Sequence, residues 1–430
     1  MITVEGAVYM DNKLNWAGNY QYGSSDIIEP GTLEEVRDLV AKSSRVRTLG
    51  SRHSFNGIAD TDGIQISLRK LDRVIALDKE QQTVTVEGGI RYGELCRYLD
   101  EQGYALHNLA SLPHISVAGA VATGTHGSGD QNAGLADAVR VIELVKADGE
   151  SVVLTRGIDR EFEGAVVGLG GLGVVTKLTL DVVPSFQVSQ TVYDQLPLAA
   201  LEESGFNKIY SSAYSVSLFT NWADSVFNQV WVKSKLTGDE VGMPTTSDFF
   251  GAVAAATKRH PVPGQSEINC SEQLGIPGPW YERLPHFRMD FTPSAGSELQ
   301  SEYFVPRRYA LEALRALEGL RDRISPLLYV SEVRTIAADS FWMSPCYQQD
   351  SVGLHFTWKP EWESVRELLP VIERVLSPFG ARPHWAKLFT MEPASVQSQY
   401  ERLEDFRQLL LQYDPAGKFR NEFLDRYIFG

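Results

Sequence analysis

Three short strand-like runs in the second half of the 430-residue chain carry charges that an ordinary core strand avoids. In Ser331-Glu-Val-Arg-Thr335 a strand period of two puts Glu332 and Arg334 on one face and Val333 on the other. An opposed ion pair facing a cavity fits that pattern. In Leu354-His-Phe-Thr-Trp358, His355 and Thr357 share one face, and Leu354, Phe356 and Trp358 form the apolar opposite face. Lys387 is the single charge in Trp385-Ala-Lys-Leu-Phe389. Such groups are seldom buried without partners. An acid, a guanidinium, an imidazole and an amine together suit a site that exchanges protons. Taken singly, each has a plainer account: a satisfied salt bridge, a core histidine, a surface lysine.

Two stretches of the first half are built for close backbone approach. Leu49-Gly-Ser-Arg-His-Ser-Phe-Asn56 reads as a strand end running into a tight turn, whose amides and hydroxyls can cradle phosphates without many cations. Ser111 to Gly129 is rich in small residues that let the backbone lie against a flat ligand and its pyrophosphate. A third string, Gly168-Leu-Gly-Gly-Leu-Gly173, fits the G-x-G-x-x-G pattern of dinucleotide folds, but that pattern works only where the last glycine opens a helix. Here the alternating, β-branched run from Val174 to Val183 follows, so a strand is expected and a Rossmann site is not. No His and carboxylate spacing of a metal site stands out, and Gly-x-Ser-x-Gly is absent.

These residues need elements to hold them. Thr32-Leu-Glu-Glu35 has the form of a capping box and predicts a short helix. Strands are expected at Val46–Leu49, Ile64–Leu68, Val74–Leu77, Thr83–Glu87, Val139–Lys146, Ser151–Leu154 and Val174–Val183, with helical spacing through Tyr92, Leu95, Cys96 and Leu99 and again over Arg308–Leu320. Residues 106–129 show neither period. The segment Asp414 to Asn421 reads as a loop too polar for a core. A length of 430 suggests two domains, residues 1–183 with the tail 389–430 and residues 184–388, in an α+β arrangement. A hydrophobic fraction of 43% marks an ordinary globular protein. The net charge of −15 argues against a nucleic-acid partner. Three widely spaced cysteines, no secretory start and no apolar span point to a soluble cytoplasmic protein, with Met1 or Met10 as the start; a monomer is the expectation carried with it.

The turn, the small-residue loop and the glycine strand stand in the order found in the vanillyl-alcohol-oxidase type of FAD-binding proteins. Over nearly its whole length the chain resembles the alditol oxidases of that family. The resemblance implies a two-domain fold with a mixed α/β substrate domain, and FAD bonded to His53. It implies cofactor contacts from Gly50, Ser51, Arg52, His53, Ser54, Ser111, Ser116, Val117, Ala118, Gly119, Thr123, Gly124, His126, Gly127, Gly170, Gly173 and Val175. Many relatives have glycine where this chain has Arg52. It also implies substrate contacts from Ser111, Glu332, Arg334, Thr357 and Lys387. The implied reaction oxidises a terminal hydroxyl of an alditol such as xylitol or sorbitol to the aldose, oxygen becoming hydrogen peroxide. Lys387, with His355, is then the proton acceptor, and Arg334 stabilises developing negative charge. Oxidation of a sugar-1,4-lactone on the same fold is the alternative.

Overall fold

The structure, a computed structural model, describes residues 13–236, 247–289 and 298–430, so the question of Met1 against Met10 lies outside it. The expected helix start forms: Thr32 accepts from the Glu35 amide at 3.1 Å, Glu35 accepts from the Gly31 amide, and helix Leu33–Lys42 follows. Strands Asp26–Ile28, Ile64–Ser67 and Val46–Leu49 make a parallel sheet in that spatial order. A five-stranded antiparallel sheet follows, in the order Val74–Asp78, Thr83–Glu87, Val174–Asp181, Val139–Val145 and Ser151–Thr155. The glycine string therefore does open a strand, Val174–Asp181, whose inward and outward residues alternate.

Among the described residues between 187 and 383 a ten-stranded sheet forms, antiparallel throughout its pairings. At its centre lie Ser215–Thr220, Leu328–Ile336, Ser351–Trp358 and Leu299–Pro306, in that order. Register decides what they present. Glu302 stands opposite His355, His355 opposite Glu332, and Glu332 opposite Phe219, so one row crosses four strands. Arg334 lies two residues along, on the same face. The other face carries Val333, Leu354 and Phe356, which join one apolar cluster with Leu314 and Leu317 of helix Ala310–Glu318 and Leu368 and Ile372 of helix Trp362–Leu376. That cluster runs on through Val117, Leu178 and Phe406, so both large sheets share a core.

Two expectations about loops need correcting. The aperiodic stretch 106–129 contains a helix, Val117–Ala122. Its residues are all small or apolar, so no polar face exists to reveal a 3.6 period. The polar segment 414–421 is partly interior: Asp414, Phe419 and Asn421 are buried. Its polarity is satisfied locally, since Asp414 accepts from the Lys418 and Phe419 amides and the Asn421 side-chain amide donates to the carbonyls of Gly57 and Asp60. Arg47, 2% exposed, donates to the carbonyls of Gly170, Leu169, Phe419 and Ile58, and so ties the glycine string to this C-terminal segment. Burial lowers its pKa to about 10, which leaves it charged at neutral pH.

Candidate active site

One cavity of about 630 Å³ runs from the turn at 50–54 and the loop at 111–126 to the charged row of the ten-stranded sheet. Its first half is lined largely by small residues, among them Gly50, Ser51, Ala118 and Gly119. A Cβ on Gly50 would stand 2.6 Å from Ser116 Oγ and one on Gly119 2.8 Å from it, so these two glycines let the Ser116 side chain sit close against both segments. Ser116 Oγ is buried with no hydrogen-bond partner and lines the same space, as expected of a donor that awaits an acceptor. His53 also lines it. Its Nε2 is buried and unpartnered, and Trp16 stacks on the ring with centroids 4.2 Å apart. Burial, then the nearby Lys387 and His114, lower the His53 pKa to about 3, so the imidazole is neutral at neutral pH.

Ser51, Arg52, Ser54, Ser111, Ala118, Thr123, His126, Gly170, Gly173 and Val175 also line the cavity. Val117, Gly124 and Gly127 do not: Val117 is fully buried in the core, a Cβ on Gly124 would meet Pro345, and one on Gly127 would meet the Leu109 carbonyl. They shape the loop from behind.

Arg52 has φ 61°, the left-handed region that glycine enters freely. A non-glycine residue gives up roughly 1–2 kcal/mol there. Arg52→Gly and Arg52→Ala both remove the side chain, but only glycine relieves the backbone. The glycine variant is expected to be the more stable of the two by about 1 kcal/mol in urea unfolding. Equal midpoints would show that the backbone carries no strain there.

The second half of the cavity gathers the predicted charges around a residue the sequence did not single out, Glu302, whose side chain is fully buried. Its Oε2 accepts from Lys387 Nζ at 2.6 Å, and its Oε1 accepts from Arg334 Nη2 at 2.9 Å, with His126 Nε2 at 3.2 Å. Burial alone would raise this carboxyl, but the Lys387 and Arg334 cations outweigh it and hold the group well below the usual range. Gly353 makes the room: a Cβ there would stand 3.0 Å from Glu302 Oε1. Lys387 Nζ also donates to His355 Nδ1 at 2.8 Å, and His355 Nε2 faces Thr357 Oγ1 at 3.1 Å. Burial and, next, the Arg334 cation lower the Lys387 pKa against the pull of Glu302, and burial takes His355 to about 4. Ser111 Oγ lies 3.5 Å from Arg334 Nη1 and joins the two halves.

His286 is likewise absent from the residues the sequence pattern marks; its Nε2 is 2.9 Å from Glu332 Oε1. Glu302 is the one charge in strand Leu299–Pro306, a weaker signal than that of Lys387 because Gln300 and Ser301 precede it. His286 follows Pro285 in a mixed segment and carries none. His126, Glu302 and His384 are the described residues that come nearest to a metal-ligand set, with donor atoms within 4.8 Å. Both Glu302 oxygens already serve cations, so the cluster reads as the counter-ion of Arg334 and Lys387.

An FAD binding domain model matches residues 25–155, and a D-arabinono-1,4-lactone oxidase model matches residues 292–427. An alditol oxidase of Streptomyces sp. is 49% identical over 413 residues, 95% of this chain and 97% of that protein. An L-gulonolactone oxidase of Mus musculus is 28% identical, over 96% of this chain and 98% of that protein. The fold is shared with cholesterol oxidase from B. sterolicum, at a TM-score of 0.77 and 15% identity over 96% of each chain.

Proposed function

The chain belongs to the alditol oxidase family of vanillyl-alcohol-oxidase-type FAD-binding proteins, and from that premise we propose that it oxidises the terminal hydroxyl of an alditol such as xylitol or sorbitol to the aldose. The observation that carries the reading is the convergence of Glu332, Arg334, His355 and Lys387 on the far wall of the cavity whose near wall is the glycine-lined cradle. Bound FAD supplies the two-electron acceptor for the carbinol hydride, with oxygen taking the electrons on as hydrogen peroxide. Gly50, Gly119, Ser116 and the turn amides would hold it. The two N–H groups of a neutral Lys387 are taken by Glu302 and His355 Nδ1, which leaves its lone pair to receive the hydroxyl proton. Arg334 stabilises the alkoxide that develops. Glu332 accepts from substrate hydroxyls, and Thr357 and Ser111 complete the polar lining.

Anaerobic mixing with xylitol and sorbitol is expected to bleach the flavin absorbance, and admission of air to restore it with one equivalent of peroxide. Bleaching by an aldonolactone but not by any polyol would replace this reading with lactone oxidation. The lower identity to the lactone oxidases favours the polyol.

The reading includes a covalent bond from FAD to His53, supported by the neutral ring at the cavity wall, whose Nε2 has no hydrogen-bond partner. The parent is expected to keep yellow fluorescence on a denaturing gel, and His53→Ala to lose all of it. Fluorescence that survives the substitution would exclude His53 as the link. It also includes a monomer in the cytoplasm, where a reducing milieu keeps thiols such as the buried, unpaired Cys96, Cys270 and Cys346. The described residues hold no helix long and apolar enough to cross a membrane. The division at residues 183 and 184 is proposed as the boundary between the cofactor part and the substrate part.

A further inference from the structure

Behind Glu332 lies a buried lysine that the reaction does not use. Lys233 is 1% exposed, and its Nζ donates to the carbonyls of Leu284 and Pro285 and to His286 Nδ1 at 3.3 Å. An ammonium has donors only, so Nδ1 accepts and the imidazole proton sits on Nε2, aimed at Glu332 Oε1 2.9 Å away. The tautomer is thus set from the side opposite the cavity. The imidazole plane is held as well, with Phe219 and Trp231 meeting it edge-on at 5.5 Å and 5.2 Å between centroids. The amides of His286 and Phe287 both donate to the Ser111 carbonyl, so the segment that orients Glu332 also anchors Ser111.

We propose that Lys233 and His286 form a positioning relay for substrate recognition, which engages Glu332 Oε1 from behind and presents Oε2 to hydroxyls of the polyol chain. It rests on the reading of Glu332 as a polyol ligand. On its other side the carboxylate has the Arg334 guanidinium, with Nε 3.6 Å from Oε2, an ion pair without a hydrogen bond, so Glu332 lies between an N–H donor and a cation. A polyol needs such a fixed acceptor, because an acceptor free to turn would have to be ordered by the substrate itself. His286 is neutral, its pKa lowered to about 4 by burial, so it supplies an N–H donor and not a second positive charge. Lys233 faces His286, Glu332, Arg334 and the Cys270 thiol, and burial lowers its pKa to about 7. Loss of its proton as pH rises through that range weakens the donor to Nδ1 and with it the tautomer that Glu332 depends on.

The test uses flavin-loaded enzyme reduced anaerobically by xylitol, with the concentration for half-maximal rate read separately from the limiting rate. Lys233→Met is expected to raise the half-maximal concentration about tenfold, a larger change than in the limiting rate, and to abolish its rise above about pH 7. Should that variant fail to fold, His286 decides. His286→Gln keeps an N–H toward Glu332 and is expected to remain within about threefold of the parent, whereas His286→Leu loses affinity about tenfold or more. Equal affinities for the glutamine and leucine variants, or identical pH profiles for the parent and Lys233→Met, overturn the relay and leave polyol oxidation standing. A parent that no polyol reduces overturns both.

Discussion

A Lys387→Met enzyme is expected to keep its flavin and to reduce it with xylitol about 10²–10⁴-fold more slowly than the parent, the range over which a positioned proton acceptor contributes. The argument is one of valence. Lys387 Nζ is 2.6 Å from Glu302 Oε2 and 2.8 Å from His355 Nδ1, so the neutral amine spends both N–H groups on fixed acceptors and has a lone pair left. Methionine has similar length and no proton affinity. The pH dependence follows with a definite sign. Only the neutral amine accepts a proton, so the reduction rate rises with pH as Lys387 deprotonates. Because burial and Arg334 lower its pKa from 10.5, that rise is expected to level off below pH 10.5 in the parent. It should be absent in Lys387→Met. A methionine variant that reduces its flavin at the parental rate, with the same pH profile, would remove Lys387 from the chemistry.

The second large effect is expected on stability. Glu302 is the counter-ion of two buried cations, and its removal strands both in a low-dielectric interior. Glu302→Ala is expected to lose about 3–5 kcal/mol in urea unfolding of the holoenzyme, the usual consequence of breaking a buried ion pair from one side. Glu302→Gln keeps the shape and removes the charge. Since Glu302 is what holds the Lys387 pKa up against burial, the glutamine variant is expected to shift the alkaline rise of the reduction rate to lower pH. A stability change below about 1 kcal/mol in Glu302→Ala would mean that solvent, not Glu302, neutralises these cations.

The predicted residues and the structure agree most closely where the signal is local. Thr32 with Glu35 marks the start of helix Leu33–Lys42, and the β-branched run after Gly173 becomes strand Val174–Asp181. Where side chains carry no contrast, as in Val117–Ala122, periodicity has nothing to report and the helix stays hidden. The polar segment 414–421 misleads for a related reason. Composition measures how much hydration a segment wants, but Asp414 and Asn421 obtain the equivalent from backbone groups.

For the site, the sequence by itself determined which faces the charges occupy, because a strand period of two puts Glu332 with Arg334 and His355 with Thr357 whatever the fold. It also carried the glycine-rich turn and loop whose small residues leave room for a flat cofactor. Only the tertiary structure decided that these pieces meet. The row Glu302, His355, Glu332 depends on the register of three strands, and a slip of one residue would turn every one of those groups to the opposite face. Glu302 and His286 gain their importance from the partners that register and chain path bring to them. A charge pattern along one strand names candidates, while the energy of burying them is set by neighbours that lie tens of residues away.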